Sequence, residues 1–212
     1  MKKIKIKICG LNDLNNAAEV ADLQPDYMGF ILYPGSPRYI SLEGAETIIK
    51  NIPGSIQKVG VIVNEPFDIA LKIAQSGFFD LLQLHGSENP DYCNKLSQQI
   101  PIIKAFSVSN MLPDLSDYYE FCKMFLFDTA GKKYGGNGKA FDHKILMNYS
   151  LDKEYILGGG ITSDDSTYIR TLNTERLAAV DLNSRFEMSP GIKDIKLLKY
   201  FIGKLREYDS EN

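Results

Sequence analysis

Short apolar segments rich in β-branched residues alternate along this chain with longer amphipathic segments, and this alternation limits the possible folds more than any other feature. Strands are predicted over residues 4–9, 27–32, 58–63, 81–85, 102–106, 124–128, 155–158 and 177–182. Strands that alternate with helices indicate βαβ units and a parallel sheet. Eight such units in 212 residues favour one α/β domain over residues 1–212, a single (β/α)8 TIM barrel with a parallel eight-stranded core.

The helices are predicted from the same pattern and from the residues that begin them. They cover residues 12–23, 42–50, 66–75, 90–99, 111–122 and 193–207, with a further helix after Thr162. Ser41 and Thr162 are typical helix N-caps, whereas Pro66 and Pro90 suit a first helical turn. Pro113 interrupts the fifth of these segments. An open doubly wound sheet is the alternative fold, but no Gly-x-Gly-x-x-Gly motif follows the first strand.

Composition excludes several classes of protein. The formal net charge is -3, without the basic stripe that nucleic-acid binders present, so no nucleic-acid partner is expected. No apolar run approaches the ~20 residues that span a bilayer, and no signal peptide is visible, so no membrane partner is expected. Cys9, Cys93 and Cys122 show neither disulfide nor metal-binding spacing, which suits a reducing, cytoplasmic location without a metal site.

Barrel enzymes place their chemistry at the C-terminal ends of the strands, and the loops after strands seven and eight commonly bind phosphate. Here the seventh strand ends in Gly158, Gly159 and Gly160, whose backbone N–H groups can approach an anion closely. Asn183 and Ser184 close the eighth strand and offer further hydrogen bonds. These residues are therefore expected to bind a phosphate, although a tight turn before a helix is the alternative interpretation.

The first strand ends in a cysteine on the face predicted to point into the barrel. Alternation places Lys5, Lys7 and Cys9 on that face and the intervening isoleucines against the helices. A cationic neighbour lowers the pKa of a thiol, so Cys9 is a candidate base or nucleophile, with a buried packing role as the alternative. Cys93 and Cys122 lie on predicted helices and are interpreted as packing residues.

Asp128 follows the apolar run 124–127 at the end of the sixth strand. Desolvation there is expected to raise the pKa of the carboxyl and make it a general acid, whereas helix capping or an ion pair is the alternative. The loop 129–140 that follows holds four glycines, which is typical of a lid over a catalytic face.

Three further side chains are candidates for binding. Arg38 follows Ser36 and Pro37 and offers a fork for a carboxylate or phosphate, although it could also be a solvated surface residue. His85 ends the fourth strand, and a direct role and a structural role are equally open to it. His143 follows the glycine-rich loop as a helix-start residue, and neither histidine has a partner at metal-ligand spacing.

Motifs at the strand ends together resemble those of the phosphoribosylanthranilate isomerases and extend from residue 7 to residue 194. They are Lys7-Ile8-Cys9-Gly10, Gly29-Phe30 with Ser36-Pro37-Arg38, Gln83-Leu84-His85-Gly86, Phe127-Asp128 with Gly135-Gly136-Asn137-Gly138 and Phe141, Gly158-Gly159-Gly160-Ile161, and 181–187 with Pro190-Gly191-Ile192-Lys193-Asp194. Each motif is short, but their order and spacing are specific.

The resemblance implies an Amadori rearrangement of the phosphosugar N-(5′-phosphoribosyl)anthranilate without any cofactor. It implies that Asp128 is the general acid that opens the ribose ring and that Cys9 is the base that removes the C2′ proton. Arg38 would bind the anthranilate carboxylate, and the loops after strands seven and eight would bind the phosphate. His85 and Gly136 of the lid complete the substrate-binding residues that the resemblance suggests, and a monomer or a homodimer is expected.

This chain departs from the family pattern at two positions. Arg185 stands where the family usually has glycine, and Asn137 stands where threonine or serine is common. A side chain at Arg185 either clashes with a phosphate or adds a charge-assisted bond to it. We expect the loop to keep its phosphate role, with Arg185 turned outward or assisting.

Other functions remain to be weighed against this one. A phosphosugar epimerase needs metal-binding histidines, and this chain has too few histidines for that. A synthase resembling indole-glycerol-phosphate synthase needs several catalytic lysines and glutamates at its strand ends, which are not found here. A barrel that binds a phosphorylated ligand without turnover needs neither Cys9 nor Asp128. A cysteine-nucleophile enzyme would need His85 to reach Cys9 across the barrel mouth.

Overall fold

A computed structural model describes residues 3–129, 142–172 and 175–207 of the chain. Its central feature is a closed barrel of eight parallel strands in the order β1-β2-β3-β4-β5-β6-β7-β8, in which β1 also pairs with β8. The strands are β1 Lys5–Cys9, β2 Tyr27–Ile31, β3 Gln57–Ile62, β4 Leu81–Leu84, β5 Ile102–Val108, β6 Met124–Thr129, β7 Tyr155–Leu157 and β8 Leu177–Leu182. The predicted TIM barrel and all eight of its predicted strands are confirmed.

The helices lie outside the barrel, and all but the last connect successive strands. They are α1 Leu14–Asp22, α2 Leu42–Ile49, α3 Phe67–Ala74, α4 Pro90–Ser97, α5 Ser166–Thr171 and α6 Ile195–Glu207, with 3-10 helices at Ser116–Tyr118, His143–Asn148, Ser163–Asp165 and Ser184–Phe186. Ser41 caps α2 by accepting from the Gly44 N–H, and Thr162 shares a capping box with Asp165, as predicted. Within the described ranges, no helix is long and apolar enough to cross a bilayer.

Two of the predicted helices are corrected. Only the 3-10 turn Ser116–Tyr118 forms within 111–122, because Pro113 lacks a backbone N–H and the Asp114 carboxylate binds the Ser116 backbone and hydroxyl. Lys193 belongs to a short hairpin of β9 Glu187–Ser189 and β10 Ile192–Lys193 rather than to the last helix. This hairpin follows β8 and places Lys193 beside the barrel mouth.

Alternation along the strands divides the buried side chains into two sets. Outward-facing residues such as Ile6, Ile8 and Phe30 pack against the helices, whereas Cys9, Val59 and Leu126 belong to a separate cluster inside the barrel. The prediction that the isoleucines of β1 face the helices is therefore confirmed. Since the inner cluster is apolar, the charged side chains that share the barrel interior need close partners.

Replacing Phe125 by alanine tests the outer core. Phe125 is fully buried, and its ring meets the ring of Phe106 edge-on with centroids 5.4 Å apart. We expect Phe125→Ala to lower the free energy of unfolding by roughly 3–5 kcal/mol, measured by urea denaturation. Met111→Ala is the control, since Met111 is 74% exposed, and its effect should stay within about 0.5 kcal/mol. Equal midpoints for the two variants would contradict the assignment of Phe125 to the core.

Candidate active site

The C-terminal ends of the eight strands form one rim of the barrel, because all the strands are parallel. Cys9 ends β1, His85 directly follows β4, and Asp128 is the second-last residue of β6. Lys7 lies two residues before Cys9 on β1 and acts electrostatically on both Cys9 and Asp128. The rim thus brings the two predicted catalytic residues, Cys9 and Asp128, around one buried cation.

Cys9 is buried and points into the barrel as predicted. The Nζ of Lys7 is fully buried, lies 2.8 Å from Oδ1 of Asp181 on β8, and also contacts the Cys9 thiol. Burial raises the pKa of Cys9, and the opposing effects of Lys7 and Lys193 do not outweigh it. The prediction that a cationic neighbour lowers this pKa is therefore wrong for the net shift, because desolvation disfavours the thiolate more.

Gly29 of β2 explains how the thiol fits inside the rim. It pairs in register with Cys9, and a Cβ at this position would lie 2.7 Å from the Cys9 Sγ and 3.2 Å from its Cα. The absence of a side chain at Gly29 therefore creates the space that the thiol occupies.

His85 and Asp128 form a hydrogen-bonded pair across the rim. The His85 Nε2 lies 3.2 Å from Oδ2 of Asp128, and Oδ1 of the same carboxylate accepts from the Thr129 N–H at 2.7 Å. Burial alone would raise the pKa of Asp128, but the His85 hydrogen bond and charge, the Thr129 N–H and Lys7 outweigh it. The net shift is downward, so the predicted rise is wrong, and the carboxylate is instead held by its hydrogen bonds to His85 and Thr129.

A buried ion pair that the sequence reasoning missed holds the β4 loop. The Glu88 carboxylate accepts from the backbone N–H groups of Asn64 and Gly86 and lies 2.9 Å from Nζ of Lys104. The Lys104 Nζ also donates to the carbonyl of Gly86 at 2.7 Å. Together they fix the backbone on which His85 stands. The signal in the sequence was a lysine inside an otherwise apolar strand, at residues 102–106.

Arg38 is largely buried and is already paired, which the sequence did not indicate. Its Nε lies 2.9 Å from Oε1 of Glu187 and its Nη2 lies 2.7 Å from Oε2. Lys193 binds the same carboxylate at 2.7 Å and donates to Oδ1 of Asn183 at 2.9 Å. The surface-arginine alternative is therefore wrong, and a network of two cations and one carboxylate links the β2 loop to the hairpin after β8.

Glycine conformation shapes the loop after β7. Gly159 and Gly160 have φ values of 83° and 79°, in the left-handed region that favours glycine. A Cβ at Gly159 would also lie 2.7 Å from the Thr129 backbone N. Ser184 opens a 3-10 turn directly after Asn183, so the two predicted phosphate loops lie side by side on neighbouring strands. The remaining predicted binding residue, Gly136, lies outside the described residues together with 130–141.

The fold and the rim define a (β/α)8 barrel with its candidate catalytic groups in the position typical of barrel enzymes. The sequence model described as N-(5'phosphoribosyl)anthranilate (PRA) isomerase matches residues 6–204. The chain therefore belongs to the N-(5'-phosphoribosyl)anthranilate isomerase family, whose members are isomerases that catalyse an aldose–ketose rearrangement.

Individual relatives agree with this assignment. The N-(5'-phosphoribosyl)anthranilate isomerase of Parabacteroides distasonis is 38% identical over 206 residues, which cover 94% of this chain and 92% of that protein. The crystal structure of the Thermus thermophilus phosphoribosyl anthranilate isomerase superposes with a TM-score of 0.87 at 28% identity and covers 97% of this chain and 100% of its own. A phosphoribosyl anthranilate isomerase in complex with reduced 1-(o-carboxyphenylamino)-1-deoxyribulose 5-phosphate gives a TM-score of 0.82 at 32% identity, covering 96% and 99%.

The space at Gly29 generates the first prediction about the site. Gly29→Ala should displace the Cys9 thiol and reduce kcat by roughly tenfold or more, since a small misplacement of a catalytic group is costly. The reduction is measured by steady-state kinetics on folded protein. Gly54→Ala is the matched control, because a Cβ there has no atom within 4 Å. Equal kcat values for the two variants would show that the thiol position tolerates a side chain at Gly29.

The Arg38–Glu187–Lys193 network generates a prediction about pH and stability. Although burial raises it, the pKa of Glu187 lies below the ordinary value of 4.5 because Arg38 and Lys193 favour the carboxylate. The stabilisation is therefore present above that ordinary value and is lost as the pH falls through the lowered, folded-state pKa. Glu187→Gln should cost roughly 3–5 kcal/mol near neutral pH, and its difference from the wild type should shrink as the pH falls below that ordinary value.

Urea denaturation across this pH range measures the effect, and Glu46→Gln is the control. Glu46 forms an i,i+4 pair with Lys50, whose side chain is 68% exposed, and such pairs contribute at most about 1 kcal/mol. A Glu187→Gln difference that stays constant with pH would contradict a stabilising role for the ionised carboxylate.

Proposed function

We propose that this protein catalyses the Amadori rearrangement of N-(5′-phosphoribosyl)anthranilate to 1-(o-carboxyphenylamino)-1-deoxyribulose 5-phosphate by general acid–base catalysis. The observation that carries the proposal is the placement of a thiol and a carboxylate at one rim of a family barrel, both within electrostatic reach of Lys7. A family member bound to the reduced product supports the same substrate class. The rearrangement needs one group that donates a proton to the ribose ring oxygen and one that removes a proton from C2′.

Asp128, acting with His85, is the proposed acid. Its low pKa means that the isolated carboxylate does not retain a proton at neutral pH. The proton that opens the ring is therefore assigned to the hydrogen-bonded His85–Asp128 pair as a unit. Protonation of the ring oxygen lets the anthranilate nitrogen form a Schiff base with C1′.

Cys9 is the proposed base. A raised pKa leaves less thiolate at neutral pH but makes the thiolate that does form a stronger base. Lys7 and Lys193 both favour that thiolate electrostatically. Removal of the C2′ proton gives an enolamine, which becomes the ketone, and the substrate nitrogen serves as the electron sink. Acid–base catalysis of this kind thus uses the chain's own side chains, and the prediction that no metal or cofactor is needed stays a prediction.

Binding is assigned to the loops around these groups. The backbone of Gly159 and Gly160, with Asn183 and Ser184, is proposed to hold the phosphate at the ends of β7 and β8. Arg38 is proposed to hold the anthranilate carboxylate; because Glu187 binds its Nε and Nη2, the substrate would meet Nη1. Gly136 is proposed as a substrate contact from the lid, and a single domain, a cytoplasmic location and a monomer or homodimer also stay predictions.

Steady-state kinetics test the proposal directly. Isomerisation of freshly generated phosphoribosylanthranilate is followed as the loss of anthranilate fluorescence, with wild type beside Cys9→Ser and Asp128→Asn. We expect activity in the wild type and a loss of roughly 100-fold or more in each variant. Wild-type activity that survives both substitutions would overturn the mechanism, and no activity in folded wild-type protein would favour a barrel that binds a phosphorylated ligand without turnover.

Arg185 allows the phosphate loop to be tested separately. Its side chain is exposed in the turn Ser184–Phe186, where the resemblance expects glycine. If Arg185 bonds to the phosphate, Arg185→Gly should raise KM about tenfold or more with little change in kcat. Lys50→Gly, which changes an exposed cation at the end of α2, is the control for charge. An unchanged KM would show that Arg185 points away from the bound substrate.

A further inference from the structure

Gln83 lies beside the His85–Asp128 pair but has no role in the function proposed above. It belongs to β4, is 1% exposed, and faces His85 two residues along the chain. Its side chain lies 2.7 Å from the His85 Nδ1 through its own Nε2. Gln83, His85 and Asp128 therefore form a continuous line of hydrogen bonds that begins inside the barrel and ends at the rim.

The orientation of the amide decides where the imidazole carries its proton. With the amide nitrogen toward the ring, that nitrogen donates, so the His85 Nδ1 accepts and carries no hydrogen. The ring is then neutral, and its single N–H lies on Nε2, toward Asp128. In this state His85 stabilises the carboxylate but has no proton to give, because losing the Nε2 hydrogen would leave an imidazolate.

The carbonyl end of the Gln83 amide indicates that the side chain also adopts a second orientation. The Oε1 of Gln83 is buried and has no hydrogen-bond partner among the described residues. A buried carbonyl without a partner is costly and calls for an explanation. The two ends of the amide have nearly the same shape, so a half-turn of its terminal torsion exchanges them. Oε1 would then accept from a hydrogen on Nδ1, and His85 would be an imidazolium.

We propose that Gln83 is a positioning residue that selects the protonation state of His85 by rotating its amide, and that the imidazolium supplies the acid's proton. This rests on the proposed isomerase function. The Nε2 proton of the imidazolium moves to the Asp128 carboxylate, and Asp128 passes it to the ribose ring oxygen. The bond between C1′ and that oxygen breaks, its electron pair stays on the oxygen, and the anthranilate nitrogen forms the double bond to C1′. His85 is left neutral.

The charged groups around His85 and Asp128 are paired with one another, so the number of protons on the His85–Asp128 pair is what can change. Among the described residues, the charged groups near the pair are Lys7 from β1, Lys104 from β5 and Glu88 after β4. Lys7 is paired with Asp181, and Lys104 is paired with Glu88. Each ion pair is neutral as a whole, so the local net charge depends on how many protons His85 and Asp128 hold together.

Two substitutions at Gln83 act in opposite directions. Gln83→Glu places an acceptor that cannot rotate away from Nδ1, so the alkaline limb of the kcat profile should move up by about one pH unit or more. Gln83→Met keeps the volume but removes the acceptor, so the limb should move down and kcat should fall about tenfold, with KM little changed. Gln75→Glu, at an exposed position just after α3, is the matched control. Identical pH profiles for all four proteins would overturn the proposal.

Nitrogen-15 NMR of the imidazole rings tests Gln83 without any turnover. The chain has 2 histidines, so the His85 signals are assigned by their loss in His85→Asn. We expect the neutral wild-type ring to carry its hydrogen on Nε2 and the Gln83→Met ring to show a weaker preference, which the Asp128 carboxylate alone maintains. If wild type proved inactive while the rings behaved in this way, the isomerase function would fail but the tautomer control by Gln83 would stand. The same ratio of tautomers in wild type and Gln83→Met would overturn the proposal.

Discussion

The ion pair between Lys7 and Asp181 is the contact on which the rest of the site depends. It joins β1 to β8, 174 residues apart in the sequence, at the seam where the barrel closes. A buried ammonium is stable only with a close partner, and although burial opposes it, Asp181 holds the pKa of Lys7 above its ordinary value. Lys7 therefore stays charged inside the barrel, where it favours ionisation of both Cys9 and Asp128.

Two further groups of charges at the rim obey the same constraint. Glu88 and Lys104 neutralise each other while they hold the backbone beneath His85, and Glu187 is shared between Arg38 and a lysine of the hairpin after β8. Each of these interactions stabilises a loop electrostatically and positions a functional group at the mouth of the barrel. The proposed mechanism assigns proton exchange with a substrate to the groups outside these ion pairs, the Cys9 thiol and the His85–Asp128 pair.

The sequence predicted the strands well because their signal is local. β-Branched runs and alternation suffice to place Cys9 inside the barrel and to mark Asp128 at a strand end. The directions of both pKa shifts were wrong, since they depend on burial and on partners brought in by other strands. Arg38 was recognised, but its partner Glu187 lies 149 residues away, and no local pattern reveals such a contact. The roles of Asp128 and Cys9 came from resemblance and stay proposals.

Incorporation of solvent deuterium tests the central claim, that protons move between Cys9, the His85–Asp128 pair and the substrate. Phosphoribosylanthranilate is isomerised in D2O, and the product is examined by mass spectrometry and NMR. Removal of the C2′ proton by a base, followed by protonation of the enolamine at C1′, predicts a product with deuterium at C1′, because thiol and carboxyl protons exchange with the solvent. A product without deuterium would mean that hydrogen passes directly from C2′ to C1′ and would contradict acid–base catalysis by these residues.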